Sequence, residues 1–230
     1  MSEFRFKEFS ILQERSAMKV GTDGVLLGAW APMDQAPEMI LDIGAGTGLI
    51  SLMVAQRTGG AGIDAIELDD ASFEECVTNF EQSPWSDRLF CYHCSFGEFV
   101  EEVDDRYDLI LSNPPFHGEE VGSPSPSRER ARQQRSLPPE QLLGGVAGLL
   151  APDGIFCLIW PFQEEARLLE KAREAGLYPK RITRVRARPD TEFKRSLIVL
   201  GLNSATPVED TLDIETERQQ FTGAYTDLVR

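Results

Sequence analysis

The segment Leu41-Asp42-Ile43-Gly44-Ala45-Gly46-Thr47-Gly48 leads from an apolar strand into a glycine-rich turn. Glycine permits a tight turn and lets the backbone approach a ligand closely. A dinucleotide fingerprint, G-x-G-x-x-G, would need a third glycine where Leu49 stands, and the turn lacks the lysine of a phosphate-binding P-loop. The turn therefore predicts a ligand pocket at the end of a strand and excludes these two common nucleotide sites.

Apolar runs and helical patterns alternate on both sides of this turn. The runs typical of buried strands are Met39–Ile43, 62–66, 88–93, 107–111, 155–159 and 197–202. Stretches with apolar residues at helical spacing fall between them, at 73–80, 142–150 and 163–175. Asp69 or Asp70 is expected to cap the first helix, and Gly176 to end the last. This order predicts an α/β fold with a mostly parallel sheet and helices on both faces, in which ligands bind beyond the carboxyl ends of the strands.

Two acidic residues accompany the glycine turn. Glu67 ends the second predicted strand, where a carboxylate can accept hydrogen bonds from both hydroxyl groups of a ribose. Asp42 adds negative charge that would repel a pyrophosphate but suits the cationic sulfonium and the amino group of S-adenosylmethionine. The alternative interpretation is a glycine turn with two solvated acidic residues.

A second motif, Ser112-Asn113-Pro114-Pro115-Phe116, follows the predicted strand 107–111. Two prolines cannot continue a strand ladder, so the chain leaves the sheet along a stiff path. If the Asn113 side-chain oxygen and the Pro114 carbonyl accept hydrogen bonds from the amine of adenine, the nitrogen lone pair can face a sulfonium methyl. Phe116 is expected to stack on the base, and positioning would supply most of the rate. The alternative is an Asx-Pro turn that only ends a strand.

Charge is distributed unevenly along this acidic chain. The net charge of −15 argues against a general nucleic-acid binder. Most of the basic residues nevertheless fall within 5–19, 128–135 and 180–195. These segments form one basic face, or they are three unrelated solvated stretches. The polar, glycine- and proline-containing segment 117–137 predicts a functional loop.

Cysteine usage and hydropathy exclude other classes of protein. The single C-x-x-C, at Cys91 and Cys94, has no second pair, so we expect reduced cysteines and no metal site. No apolar run reaches the ~18 residues of a membrane span, and charged residues interrupt the amino end. We therefore expect a cytoplasmic protein that makes no membrane contact.

The motifs together resemble those of known methyltransferases. The glycine turn and Asn-Pro-Pro-Phe are similar to those of the class I Rossmann-like methyltransferases that carry (N/D/S)-P-P-(Y/F/W). Three further motifs closely resemble the bacterial tRNA1(Val) (adenine-37-N6)-methyltransferases: Met18-Lys19-Val20-Gly21-Thr22-Asp23-Gly24, Leu27-Gly28-Ala29-Trp30 and Gln82-Ser83-Pro84-Trp85. The resemblance implies a seven-stranded sheet and S-adenosyl-L-methionine-dependent N6-methylation of adenine-37 in tRNA1(Val).

The resemblance also implies which residues form the site. The candidate catalytic residues are Asn113, Pro114, Pro115 and Phe116. The candidate cofactor-binding residues are Lys19, Thr22, Asp42, Gly44, Ala45, Gly46, Glu67, Leu68, Ser95, Phe96 and Asn113. Residues 19–23 are expected to close over the methionine end of the cofactor. Relatives often carry tyrosine in place of Phe116, and in place of Ser95 they commonly have an aspartate that binds the cofactor's adenine.

The predicted substrate partner is the anticodon stem-loop of tRNA. We hypothesise that its phosphates are bound by Arg128, Arg130, Arg132, Arg135, Arg184, Arg186 and Lys194. The alternatives are N-methylation of DNA adenine or of a protein glutamine, and a catalytically silent RNA- or cofactor-binding protein on the same fold. No obligate protein partner is evident from the sequence.

We expect the chain to have three parts. Residues 1–31 form an N-terminal strand or hairpin, from alternating Phe4, Phe6 and Phe9, and a helix over 22–31 that covers the cofactor site and is capped by Thr22 or Asp23. Residues 32–205 form the methyltransferase domain, and residues 206–230 a C-terminal extension.

Overall fold

The computed structural model describes residues 3–16, 18–115 and 137–229. In chain order the strands are β1 (Glu3–Arg5), β2 (Ser10–Leu12), β3 (Met39–Ile43), β4 (Gly62–Glu67), β5 (Leu89–His93), β6 (Tyr107–Ser112), β7 (Leu150–Pro161), β8 (Tyr178–Arg186), β9 (Arg195–Gly201), β10 (Val208–Asp213), β11 (Glu215–Glu217) and β12 (Gln220–Phe221). The helices are α1 (Thr22–Trp30), α2 (Leu49–Arg57), α3 (Asp70–Glu81), α4 (Phe96–Glu102), α5 (Pro139–Leu149), α6 (Glu165–Glu174) and α7 (Gly223–Leu228).

The central sheet has the strand order β10-β8-β9-β7-β6-β3-β4-β5. Strands β3 to β7 pair in parallel, β9 lies antiparallel between β7 and β8, and β10 is parallel to β8. The predicted α/β fold is confirmed, and each of the six predicted runs coincides with a strand. The part of the sheet that the structure describes contains eight strands instead of the seven implied by the resemblance, because β10, from the expected C-terminal extension, joins its edge.

The apolar core lies on both faces of the sheet. Helices α1, α2 and α3 cover one face, and α4, α5 and α6 cover the other. Successive residues of β3 alternate between these faces: Ile40 packs towards the first and Leu41 towards the second, and neither is exposed to solvent. Full burial of such a side chain contributes ~1.5–3 kcal/mol, which explains why these strands are apolar throughout.

Helix ends follow local chemistry, with one exception to the predictions. The Asp69 side chain accepts a hydrogen bond from Ser72 N at 3.1 Å, so Asp69 caps α3 as predicted. Gly176 has φ +79° just beyond α6, which is also as predicted. The predicted cap of α1 is wrong. Gly21 occupies the cap position without a side-chain hydrogen bond, and Thr22 is already helical.

The amino end packs against α3. Strands β1 and β2 form the expected antiparallel hairpin. The Phe6 and Phe9 rings stack with centroids 4.5 Å apart, and Phe9 contacts Trp85 edge-on at 5.9 Å.

Within the described ranges, no helix is both long enough and apolar enough to span a bilayer.

Candidate active site

The glycine turn lies at the carboxyl end of β3. Gly44 and Ala45 donate backbone hydrogen bonds to the Ile66 carbonyl at 3.0 and 3.1 Å, which fix the turn against the end of β4. Gly44 has φ +73° and Gly46 has φ +58°, in the left-handed region that favours glycine. A Cβ built on either residue would meet no atom within 4 Å. The turn therefore borders open space, as a ligand pocket requires.

Glu67 spans the gap between the turn and the start of α3. Its Oε2 accepts a hydrogen bond from Gly46 N at 2.8 Å, and its Oε1 accepts one from Asp69 N at 2.8 Å. Each carboxylate oxygen has capacity for about two hydrogen bonds, so both keep a site for a further donor. This geometry is suited to binding the two hydroxyl groups of a ribose.

Asp42 lies fully buried beneath the turn. Its Oδ2 accepts hydrogen bonds from Ser51 N at 3.1 Å and Ser51 Oγ at 2.7 Å, whereas its Oδ1 has no hydrogen-bond partner within the described part of the chain. Burial raises the pKa of Asp42 to about 6; the Ser51 hydrogen bonds oppose this increase and the nearby charge of Glu67 adds to it. An unsatisfied buried carboxylate oxygen favours a ligand that brings positive charge or donors to the turn. The residues present therefore fit S-adenosylmethionine.

The residues expected around the cofactor's adenine have different environments. Leu68 is 45% exposed beside Glu67, which leaves an apolar surface for a flat ring. The Phe96 ring is buried in the core, so only its backbone is available to a ligand. Ser95 is the N-cap of α4, and its hydroxyl donates to Glu98 Oε2 at 2.7 Å and accepts from Glu98 N at 3.2 Å. Its predicted contact with the cofactor must therefore share an oxygen that is already used in a capping box.

Glu98 lies beside Ser95 and was not predicted from the sequence as a site residue. Hydrogen bonds from the Ser95 hydroxyl and amide hold the pKa of this exposed carboxyl below its usual range. The capping box thus brings a carboxylate beside Ser95, the position at which the resemblance implies an aspartate in relatives. The spacing Ser95-Phe96-Gly97-Glu98 is the S-x-x-E signal of a capping box and would have revealed it.

The Asn-Pro-Pro turn follows β6 at the same end of the sheet. The Ser112 hydroxyl donates to the Ile43 carbonyl at 3.0 Å, which joins the end of β6 to the start of the glycine turn. Asn113 is half-buried, Pro114 is buried and Pro115 is exposed. A Cβ built on Gly24 in α1 would lie 3.9 Å from Asn113 Nδ2. The start of α1 and Asn113 therefore lie side by side. Phe116 lies outside the described residues.

Of the amino-terminal candidates, Thr22 lies near this point, because it precedes Gly24 by two residues in α1. Lys19 is exposed, and Thr22 is the first residue of α1. Thr22 lines a cavity of about 280 Å³ together with Asp23, Arg186, Lys194, Arg195 and Ile214, among others. This cavity separates α1 from the connection between β8 and β9.

The basic residues predicted to bind RNA differ in their availability. Arg184 pairs with Glu165 at 2.7 Å and with Glu209 at 2.9 Å, and Arg186 pairs with Asp213 at 2.6 Å. Lys194 is exposed at the cavity. Arg128, Arg130, Arg132 and Arg135 lie outside the described residues, as does most of the predicted loop 117–137. The structure thus gives Arg184 and Arg186 intramolecular partners, and their predicted role in RNA binding stays a prediction.

The four cysteines differ in exposure. Cys76 and Cys157 are buried, Cys91 and Cys94 are partly exposed, and all four are free thiols. The described ranges contain no group of three or more histidine, cysteine or acidic side chains that could hold a metal ion.

The glycine turn and the Asn-Pro-Pro turn open to one end of a mostly parallel sheet, beyond its carboxyl edge. This fold and this site define a class I, Rossmann-like methyltransferase. Residues 22–127 match the family model described as the methyltransferase small domain.

Comparison with known proteins identifies the family. A tRNA1(Val) (adenine(37)-N6)-methyltransferase from Flavobacterium psychrophilum is 51% identical over 99% of this chain and 97% of the relative. One from Flavobacterium johnsoniae is 50% identical over the same shares of the two chains. The chain belongs to the family of tRNA1(Val) (adenine(37)-N6)-methyltransferases. A predicted O-methyltransferase, protein Atu636 from Agrobacterium tumefaciens, shares the fold, with a TM-score of 0.69 and 22% identity over 90% of this chain and 95% of that structure.

Proposed function

We propose that this chain transfers a methyl group from S-adenosylmethionine to N6 of adenine-37 in tRNA1(Val). The observation that carries the proposal is the position of Asn113, which follows β6 next to the start of α1 and at the same sheet edge as the glycine turn. The family of the chain supports the choice of tRNA as the substrate. A tRNA substrate supports the cytoplasmic location that the sequence predicts.

The cofactor is held by residues at the ends of three strands. The backbone of Gly44, Ala45 and Gly46 lets the ligand approach closely, and Glu67 binds its ribose. Asp42 contributes negative charge beneath the turn. Lys19 and Thr22 lie towards the methionine end, and Leu68, Ser95 and Phe96 border the adenine. The bound cofactor supplies an electrophilic methyl group on a positively charged sulfur.

Asn113 and Pro114 orient the acceptor nitrogen. The N6 amine of adenine is a weak nucleophile because its lone pair is delocalised into the ring. Its two N–H bonds would donate to Asn113 Oδ1 and to the Pro114 carbonyl, which would draw the nitrogen towards tetrahedral geometry. The lone pair would then face the methyl group. Transfer would form the N–C bond as the S–C bond breaks, leave neutral S-adenosylhomocysteine, and release one proton from the nitrogen to solvent. Positioning of this kind can supply several orders of magnitude in rate without a strong base.

The anticodon stem-loop approaches the carboxyl edge of the sheet. Lys194 offers an exposed ammonium at the cavity beside α1, close to the proposed path of the RNA backbone. The arginines between residues 128 and 135 follow the catalytic turn in the sequence and add phosphate contacts. Such contacts raise affinity and salt sensitivity without reading the base sequence.

Mass spectrometry of nucleosides tests this proposal. Purified protein and labelled S-adenosylmethionine are incubated with tRNA1(Val), with the same tRNA carrying guanosine at position 37, with duplex DNA and with a glutamine-containing peptide. We expect N6-methyladenosine only in the first reaction. Asn113→Ala should lose most of this activity while it retains cofactor binding, and Asn203→Ala, at an exposed loop position, should match the wild type. Methylation of DNA or peptide with no methylation of tRNA would overturn the proposal.

A further inference from the structure

A buried carboxylate on α3 holds the segment that leads from β2 to α1. Glu75 is only 4% exposed. Its Oε1 accepts hydrogen bonds from Glu14 N and Arg15 N, both at 2.7 Å. Its Oε2 accepts hydrogen bonds from Ser16 N at 2.9 Å and from the Ser16 hydroxyl. Three consecutive backbone amides thus converge on one side chain that lies about sixty positions away in the sequence.

Asn79, one helical turn further along α3, joins the same segment to the glycine turn. It is 1% exposed. Its Oδ1 accepts a hydrogen bond from Leu12 N at 2.8 Å, and its Nδ2 donates to the Leu12 carbonyl at 3.1 Å and to the Thr47 carbonyl at 2.9 Å. Thr47 belongs to the glycine turn. Asn79 therefore fixes the distance between the amino-terminal segment and the pocket.

Gln13 joins the two ends of the segment between β2 and α1. It is 7% exposed, and its Oε1 accepts a hydrogen bond from Val20 N at 2.7 Å. The described residues of the segment 13–20 belong to no helix or strand. Because these residues lack the hydrogen bonds of regular secondary structure, their hydrogen bonds to side chains determine the path of the segment. From Val20 the chain enters α1, where Gly24 lies beside Asn113.

We propose that Glu75, Asn79 and Gln13 are positioning residues, which set the path of residues 14–16 and 18–20 so that Lys19 and Thr22 close over the cofactor. The proposal rests on the proposed function, because it assigns a purpose to the closing segment. It concerns cofactor affinity and not the chemical step, since none of the three side chains is among the predicted contacts of cofactor or adenine.

The charge of Glu75 is suited to this role. Burial would raise the pKa of Glu75, but hydrogen bonds from Ser16, Arg15 and Glu14 outweigh it and hold the pKa below the ordinary value. The side chain is therefore a carboxylate at neutral pH, able to accept all four hydrogen bonds. Glutamine has the same size but only one accepting oxygen, so Glu75→Gln places an NH2 group against backbone donors.

The test compares Glu75→Gln and Gln13→Ala with Glu81→Gln, an exposed position on the same helix. Titration calorimetry with S-adenosylhomocysteine measures cofactor affinity without any tRNA, and steady-state kinetics give kcat and both KM values. All values are referred to the folded fraction, measured by circular dichroism. We expect the dissociation constant and the KM for S-adenosylmethionine to rise about tenfold in the first two variants, the loss of about one net hydrogen bond. We expect kcat and the KM for tRNA to stay within about twofold, and Glu81→Gln to match the wild type.

The outcomes are distinct. If Glu75→Gln does not fold, Gln13→Ala decides, because it removes one side-chain contact and leaves the Glu75 anchor intact. Unchanged cofactor affinity in folded Gln13→Ala would overturn the proposal, and so would a loss of kcat without a change in affinity. If the wild type binds S-adenosylhomocysteine but methylates no tRNA, the proposed function fails while the calorimetric comparison still tests the positioning role.

Discussion

Alanine at Gly46 and alanine at Gly48 should affect the protein differently, although both glycines belong to one turn and both have positive φ, +58° and +79°. A left-handed conformation costs a non-glycine residue ~1–2 kcal/mol, which applies to both variants. A Cβ on Gly46 meets no atom within 4 Å, so Gly46→Ala should lower the free energy of unfolding by no more than this. A Cβ on Gly48 would lie 2.5 Å from Phe80 Cε1 and 3.0 Å from Cys76 Sγ. Overpacking adds ~1–3 kcal/mol, so Gly48→Ala should lose about 2–5 kcal/mol in total.

For cofactor affinity we expect the larger loss in Gly46→Ala and the smaller loss in Gly48→Ala, the reverse of their order in stability. The methyl group of Gly46→Ala projects into the open space of the proposed pocket, and we expect its affinity for S-adenosylhomocysteine to fall by about tenfold or more. The methyl group of Gly48→Ala projects into the core, so affinity per folded molecule should change less. Urea unfolding gives the stability of both variants, and titration calorimetry gives the affinity. Wild-type affinity in Gly46→Ala, or equal stability losses in the two variants, would refute the assignment of the pocket.

Three further predictions concern charge. The native pKa of Asp42, about 6, lies above the pKa of an aspartate in the unfolded chain, so the ligand-free protein should lose stability as pH rises towards 6. Affinity for cationic S-adenosylmethionine should change in the opposite direction: it should fall as pH drops below about 6, because Asp42 then loses its negative charge. Asp42→Asn should flatten the affinity profile measured by calorimetry, and a wild-type slope in that variant would contradict the role of its charge. The salt dependence of tRNA binding is the slope of the logarithm of the association constant against the logarithm of the salt concentration. Lys194→Ala should reduce the magnitude of this slope by ~0.7–0.9, and the double variant Arg130→Ala with Arg132→Ala should reduce it by about twice that amount. Arg184→Gln should leave the slope unchanged and lower stability by up to about 3 kcal/mol, because it leaves the buried carboxylate of Glu165 without its cationic partner. A reduced slope in Arg184→Gln would instead support the predicted contact of Arg184 with RNA.

The strands were predictable because both of their faces are buried. Continuous apolar runs such as Met39–Ile43 have few interpretations other than an inner parallel strand. Strand β8 was missed because four basic residues interrupt the apolar residues of Tyr178–Arg186, and we interpreted these basic residues as a surface for RNA. Its cations face carboxylates of β10 and α6, which lie far away in the sequence, so pairing of these charges was not visible from local pattern.

The parts of the candidate site that form short continuous motifs in the sequence were predictable. The glycine turn, Glu67 and the Asn-Pro-Pro turn each follow a strand that the hydropathy reveals, and parallel strands bring their carboxyl ends to one edge. The anchors Glu75 and Asn79 were not predictable, because one acidic and one amide residue on an amphipathic helix resemble ordinary surface positions. Their partners are backbone atoms of a distant segment, and backbone donors leave no signature in the sequence.

Strand β10 changes what an approaching polyanion meets at its side of the sheet. Arg181, Arg184 and Arg186 of β8 each have a carboxylate partner on β10. A charge pair acts at a distance as a small dipole, whose field decays faster than that of a lone cation and is screened within ~8 Å at physiological salt. The three arginines of β8 therefore produce only a weak positive potential at a distance, although they form a row of three cations. Long-range attraction of a nucleic acid therefore depends less on this row than its number of arginines suggests.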